Sequence, residues 1–467
     1  MRRSPVRFAR CVFVGICLCA VLAGGVPSAT MAAPGDPLLA DVWVSVAGSD
    51  VSGDGSEALP FRTITKALSV TDDVATVHVL PGTYHDGEVF PIVVPARVTL
   101  ESTSGRVVTT IQGDLAHSVV SMPHPIEGTA LVGFTISHGQ AAAGAGVSIV
   151  GDPVDTPDAG WPRVTDCELR YNDATSVGGG MVVAGNVGKV IQPWIDRTRF
   201  FSNASATDGA GVATGGYTSA VFTGCDFLWN QASDDGGSIY VWNANTAFFA
   251  CDIAHGAANR GGNVWIGGVS SPDFFGCDIR EGNGMSGGGG MYIVTTGGAI
   301  EVGETRIADN ESASAGAGVL GYDPDLYSFT NCLFEGNRAG GMGGALYIFS
   351  EFDGVLDITN CTVVDNECSG PGGADGFQVI DPDGSHSVAV TIRNSVFWQR
   401  ERTPGDPSSV SDYSAFAAAD DIMSYSVFRQ PAVTGSASST PTRSSWTRPT
   451  VTTTSAWGPR GSTAVRV

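Results

Sequence analysis

The chain has almost no lysine. Lys66 and Lys189 are the only two in 467 residues, and 47 acids against 25 Lys plus Arg give a formal charge of −22. A surface this acidic repels phosphate backbones and anionic headgroups, which argues against nucleic-acid binding and electrostatic attachment to a membrane. Beyond the first residues there is no apolar run long enough to insert in a bilayer. Helical periodicity is missing as well: no stretch repeats its apolar residues at i, i+3 and i+4 for the length of an ordinary amphipathic helix. Helical repeat folds are excluded with it.

The one long apolar run is N-terminal. Arg2, Arg3, Arg7 and Arg10 precede apolar Cys11 to Val26, and small residues around Ala29 to Ala33 follow. This is the layout of a secretory signal over residues 1–33. A membrane anchor is the alternative, but Gly24, Gly25 and Pro27 interrupt the run. The expectation is an exported protein, secreted or held at the cell surface, without membrane insertion.

What the chain has in quantity is glycine, 63 residues, and a repeat. A step of small residues leads into a short apolar strand, as in G-G-S-I-Y-V (Gly236 to Val241) and G-G-A-L-Y-I (Gly343 to Ile348). A loop and a second strand follow, ending in a C-x-Φ-x-x-N box such as Cys225 to Asn230, Cys332 to Asn337 or Cys361 to Asn366. The closing asparagines read as Asn172, Asn203, Asn230, Asn259, Asn283, Asn310, Asn337 and Asn366, spaced by 24 to 31 residues. That period signals stacked units. Strands with period-2 alternation and glycine-rich turns make each unit one coil of a parallel β-helix, because a propeller blade needs four strands and more residues. A coil cannot bury its apolar face alone, so stacking buries it.

The predicted fold is therefore all-β: a single-stranded right-handed parallel β-helix of about eleven coils with a short N-terminal capping helix. Residues 41–143 would form the cap and first coils, 144–400 the repeat coils, and 401–436 a fading last coil. Residues 437–467 hold no Asp or Glu but eight Thr and four Arg, and read as a disordered tail. Shifting GC-rich codons by one nucleotide would reread that tail as I-V-D-A-D-P-L-F-V-D, a string similar to the segment that ends such domains. A frameshift near residue 436 is the expectation this raises.

Each asparagine is expected at a tight turn, in the left-handed conformation it tolerates, with its amide in a hydrogen-bonded ladder along the stack. Seven cysteines lie beyond the signal: Cys167, Cys225, Cys251, Cys277, Cys332, Cys361 and Cys368. Six stand in the box, where Thr198 and Thr305 take the same place in other copies. A slot shared by Cys and Thr reads as small and buried, hence a file of thiols in the core. Disulfides between neighbouring coils are the alternative in an oxidising compartment. No C-x-x-C pair suggests zinc.

Residues 41–84 carry a further pattern: Gly48, Asp50, Pro60, Phe61, Thr63, Ile64, Ala67, Pro81, Gly82, Thr83 and Tyr84. It resembles the domain of unknown function that opens many bacterial exported β-helix proteins. Thr63 to Val70 could form two helical turns over the first coil and protect its edge. The small-residue and F-x-x-N elements, as in Phe334 to Asn337 with Gly343 to Leu346, resemble the polymorphic outer membrane protein repeat. The resemblance implies a pectin-lyase-like β-helix, a fold that hosts lyases and hydrolases.

The motifs of those enzymes are not found. Asp234-Asp235 is a D-D that stands without the other elements of such a motif, and there is no G-H-G or R-x-K. His138 and His255 lack that context, and Trp194-Ile195-Asp196 sits in an ordinary strand of the repeat. Carboxylates brought together across coils would leave no sequence spacing, so a lyase or hydrolase stays open as the alternative.

Aligning the first strands gives a surface signal. In the register G-[GA]-small-Φ-x-Φ, x faces away from the two Φ residues. Position x is Ser148, Val182, Ala213, Tyr240, Trp265, Tyr292, Leu320 and Tyr347. The candidate binding residues are thus Tyr240, Trp265, Tyr292 and Tyr347, expected on the outer surface and rimmed by Asp208, Asp234 and Asp235. Stacking on sugar rings or docking of a surface protein fits such a stripe. Simple stabilisation of the sheet fits it too. Asp323, Asp325, Asp381 and Asp383 lie in loops that could take Ca²⁺, or act as solvated turns. No cofactor is required by any motif. The expected partner is a polysaccharide or a surface protein, and the chain is expected to be a monomer. A purely structural spacer or passenger is the third reading.

Overall fold

The computed structural model describes residues 38–123, 125–151, 161–186, 190–371, 373–380 and 388–399, with short strand segments between 413 and 434. The expected signal, Lys189, Asp381, Asp383, the frameshift reading and the tail lie outside the described residues. No helix among the described residues is long and apolar enough to cross a membrane.

Every strand pairs in parallel with the equivalent strand one coil away. Among the described residues three sheets run the length of the stack, and a fourth, sheet D, spans only Gln140–Ala143 to Glu367–Cys368. Sheet A holds fourteen strands, from Leu39–Val44 to Ile422–Ser424; sheets B and C hold thirteen each, and sheet D nine. One complete coil is Val221–Thr223 (A), Asp226–Leu228 (B), Gln231–Ala232 (D) and Ile239–Trp242 (C). The coils slightly outnumber the eleven expected. The helix is only Ile64–Leu68, capped by the Thr63 hydroxyl, with Ile64, Ala67 and Leu68 buried. Five residues make it a small addition to the first coil rather than a cap over it.

Alternation puts one residue of each short strand inside. On sheet A the file Val164, Ile195, Phe222, Phe248, Phe274, Val302, Phe329, Ile358 is in register and buried throughout. Phe222, Phe248 and Phe274 stack at 5.0 and 4.8 Å, the spacing of one rung. Each ring buried this way is worth about 2–3 kcal/mol.

The corners correct one expectation. The left-handed residue of the box is the one before its closing position: Tyr171, Ser202, Trp229, His255, Glu281, Asp309 and Asp365 all have φ near +50 to +60°. The asparagine itself turns inward. The Nδ2 of Asn172 donates to Oδ1 of Asn203 at 3.1 Å, and that of Asn203 to Asn230 at 3.1 Å. Asn310, Asn337 and Asn366 continue the pattern at 2.9 and 2.8 Å, and Gln399 ends it.

Asn259 and Asn283 do not belong to the ladder. Two copies close on glycine, Gly256 and Gly282, so no amide can point inward from those corners. Asn263, at the start of the next sheet C strand, fills the gap: its Oδ1 accepts from Gly256 N at 2.9 Å and its Nδ2 reaches Asn310 Oδ1 at 3.3 Å. Asn259 lies on the outer side against Asp234 and Ser286, and Asn283 is exposed.

All seven described cysteines are buried and outside any disulfide. Each boxed thiol donates to a carbonyl of the previous coil, as Cys332 does to Val302 and Cys361 to Phe329, both at 3.3 Å. The Thr198 hydroxyl donates likewise to Val164. A short donor aimed at a buried carbonyl is what the slot requires, which explains why Cys and Thr exchange there. Cys368 is buried apart from this file, at the sheet D corner beside Ala317 and Ala339.

Candidate functional site

The outward residues of sheet C form one file in register: Ser148, Val182, Ala213, Tyr240, Trp265, Tyr292, Leu320 and Tyr347. The alignment is as expected; the exposure is not. Trp265 is 4% exposed, Tyr292 9% and Leu320 2%, and of the four aromatic residues only Tyr240 and Tyr347 are half-buried. The file is a second apolar cluster outside the solenoid, packed with Trp242, Val294, Ala315 and Tyr322. The cause is the corner between sheets D and C. Residues just before each glycine step, among them Val177 and Ala315, fold against the file. The indoles and phenols also stack on each other, Tyr240 on Trp265 at 4.7 Å. Trp265 and Tyr292 therefore cannot offer open faces to a ligand.

The same corner brings the acids together. Val177 pairs with Asp208, and Asp235 with Arg260, coil on coil. Each glycine that follows is left-handed, Gly209 at φ 58° and Gly236 at 60°. A Cβ on Gly236 would lie 2.2 Å from the Ile239 carbonyl oxygen. The chain must turn sharply here, and that turn aims the preceding side chains at one point. One carboxylate oxygen each of Asp208, Asp234 and Asp235 fall within 4.8 Å of one another.

Arg260 on the next coil grips this group. Its Nε is 2.6 Å and its Nη2 2.7 Å from the two oxygens of Asp235, and Nη2 lies 3.5 Å from Asp234. The guanidinium sits 5.8 Å from the Tyr292 ring centroid. Asn259 Nδ2 donates to Asp234 at 3.3 Å, and the Asp235 N–H to Asp208 at 3.2 Å. Burial pushes the Asp235 carboxyl up to about 8 against the pull of Arg260. Burial, with the charge of Asp234, pushes Asp208 up to about 6. Burial and these acids raise the Tyr240 hydroxyl above its usual range. Asp234 is the open member of the adjacent pair: its side chain is 47% exposed, that of Asp235 7%.

The cluster can hold a proton near neutral pH, accept hydroxyl donors at Asp234, or offer hard oxygen ligands to a cation such as Ca²⁺. Asp208 and Asp234 would be the ligands, because Asp235 is committed to Arg260. The loop acids are placed differently. Asp323 accepts from Glu351 N at 2.6 Å and Asp325 from Gly298 N at 3.1 Å, each tying its turn to a neighbouring coil. They form no metal-ligand group among the described residues. Trp194 is an exposed outer residue of sheet A, in register with Arg163 and Val221.

Exposed rings occur elsewhere. Tyr171 and Trp229, at the corner between sheets B and D, are 50% and 56% exposed. They occupy the fifth position of the box, immediately before the closing asparagine. That position, read down the copies, was the signal in the sequence.

Two family models match. "Protein of unknown function (DUF1565)" covers residues 46–154 and "Right handed beta helix region" covers 208–397. With the parallel register throughout, they define the chain as a right-handed parallel β-helix protein. Its first coils match the DUF1565 model. No curated protein sequence matches it. Among solved structures it is similar to the pectate lyase Pel9A, at 12% identity over 70% of this chain and 78% of that one, TM-score 0.41. It is also similar to the A-module of the mannuronan C-5 epimerase AlgE6 of Azotobacter vinelandii, at 12% identity over 78% and 92%, TM-score 0.38. A third is the Agl-KA catalytic domain, at 14% identity over 88% and 70%, TM-score 0.36. Likeness at this level assigns no role to any residue.

Proposed function

We propose that this chain is an exported, non-catalytic β-helix protein that binds a glycan along the corner where sheets D and C meet. The convergence of Asp208, Asp234, Asp235 and Arg260 from three successive coils, beside half-buried Tyr240, supports this reading. Asp234 accepts sugar hydroxyls, Tyr240 supplies an apolar edge, and Arg260 keeps the buried carboxylate paired. Calcium is an accessory ligand at Asp208 and Asp234. The test is a glycan array with wild type, Asp234→Asn and Tyr240→Ala. Loss of binding in both variants with unchanged melting agrees with the reading; unchanged binding in both removes this corner from it.

The hydrolase alternative draws support from one observation: two neighbouring carboxyls raised to different degrees, about 6 and about 8, the pattern by which an acid and a base divide their work. The bidentate grip of Arg260 and the enclosure of Asp235 count against it. New reducing ends or unsaturated products after incubation with polysaccharides would establish catalysis and overturn the non-catalytic reading.

A further inference from the structure

The corner between sheets B and D carries a column of side chains that runs up the stack. Tyr171, Ser202, Trp229, His255 and Glu281 follow one another in register, each N–H bonded to the next coil (Tyr171 to Phe201 O, Ser202 to Leu228 O, Trp229 to Ala254 O, His255 to Arg280 O). All five have left-handed φ of 50 to 59°. Trp229 lies flat on His255, ring centroids 3.9 Å apart and planes 11° from parallel. His255 Nε2 in turn meets Glu281 at 2.6 Å. One face of the indole is thus covered by a ring that is itself held by an acid.

The other face looks toward Ser202, where the column has no ring. Beyond Ser202 stands Tyr171. Two rungs of a parallel stack are about 9.6 Å, and one is about 4.8 Å. The column lacks a ring at Ser202, and ideal rung spacing would leave the thickness of one ring between Trp229 and Tyr171. Both flanking side chains are half exposed. Phe201, outward-facing one residue before Ser202, meets Tyr171 edge to face at 6.0 Å. Arg199 lies over Phe201 at 4.5 Å and Arg170 over Tyr171 at 5.7 Å. Both guanidinium groups face Glu168, with Nη1 at 3.4 Å for Arg170 and 3.9 Å for Arg199, while their buried Nε atoms have no hydrogen-bond partner.

We propose that the gap over Ser202 is a sugar-binding subsite that takes one pyranose ring between Trp229 and Tyr171. The ring's C–H face would lie on the indole, its hydroxyls would meet Ser202, and the guanidinium groups of Arg170 and Arg199 would bind a hydroxyl or a carboxylate beside it. The proposal rests on the glycan-binding reading but not on the acidic corner, which lies on another edge of the coil.

The test is the same array, printed with neutral tetrasaccharides and with tetrasaccharides of uronic acids, probed with wild type, Ser202→Tyr, Trp229→Ala and Asp234→Asn. Tyrosine at 202 completes the column with a residue already accommodated at φ 54° at position 171, so it should fold and melt no lower than wild type. We expect Ser202→Tyr and Trp229→Ala each to lower binding at least tenfold. A preference for the uronic acids would assign a carboxylate to the arginines; equal binding would assign them hydroxyls. Wild-type binding with Ser202→Tyr unchanged overturns the subsite and leaves the glycan reading standing. If only Asp234→Asn loses binding, the acidic corner is the site and the subsite is refuted. No wild-type binding to any printed glycan overturns both.

Discussion

Replacing Asn203 by alanine tests the interior ladder directly. Its Oδ1 accepts from the backbone N–H of Asn172 at 3.2 Å and from Asn172 Nδ2 at 3.1 Å, and its Nδ2 donates to Leu169 O at 2.9 Å. Alanine removes all three and the Nδ2 bond to Asn230 Oδ1 as well, with Asn203 itself 1% exposed. An unsatisfied buried polar group costs about 1–3 kcal/mol. Water entering the vacated space recovers part, so the expected loss is about 3–5 kcal/mol. Asn283→Ala, at an exposed corner outside the ladder, should stay within about 0.5 kcal/mol. Urea unfolding followed by circular dichroism reads both as shifts of the midpoint at constant slope. Equal midpoints for the two variants would refute the ladder as a stabilising device.

Three further outcomes are expected. Trp265→Ala should destabilise by about 3–5 kcal/mol, as for a core indole, because the residue is covered; a loss under about 1 kcal/mol in thermal melting would mean the outer file is open after all. Asp208→Asn should stabilise the fold above pH 6 by about 1–2 kcal/mol and leave it unchanged below pH 4. The sign follows from linkage: the folded carboxyl binds its proton up to about 6, the unfolded one only to about 4, so the wild type loses stability as pH rises through that window. Melting that is parallel at pH 4 and pH 8 for the two proteins would contradict it. In a chain beginning after residue 33, none of the seven buried thiols should react with a thiol reagent until the fold is denatured, when all seven should; fewer would mean disulfides between coils.

The solenoid was legible because its period is written in residue types that do one thing each. Glycine marks the step where a Cβ would strike the chain, and Cys or Thr marks the donor slot. Asparagine misled where the copies degenerate. At Gly256 and Gly282 the amide comes from Asn263, on the other side of the coil, and no local pattern says that a gap at one corner is filled from the next strand. The outer file was also read in the correct register yet judged open. Alternation says which way a side chain points, not what covers it, and the fold of sheet D onto sheet C is a property of the corner. The acids Asp208, Asp234 and Asp235 were read as a rim; the turns at Gly209 and Gly236 make them a cluster. Trp229 and Tyr171 lie one residue before the asparagine that defines the box, at a position whose residue type varies from copy to copy.

Parallel stacking of coils with inward amides underlies every site on this molecule. Diffraction from crystals of residues 34–435 should show the side-chain amides of Asn172, Asn203 and Asn230 in one buried file, about 4.8 Å from coil to coil. Amides turned to solvent, or strands paired antiparallel, would contradict it.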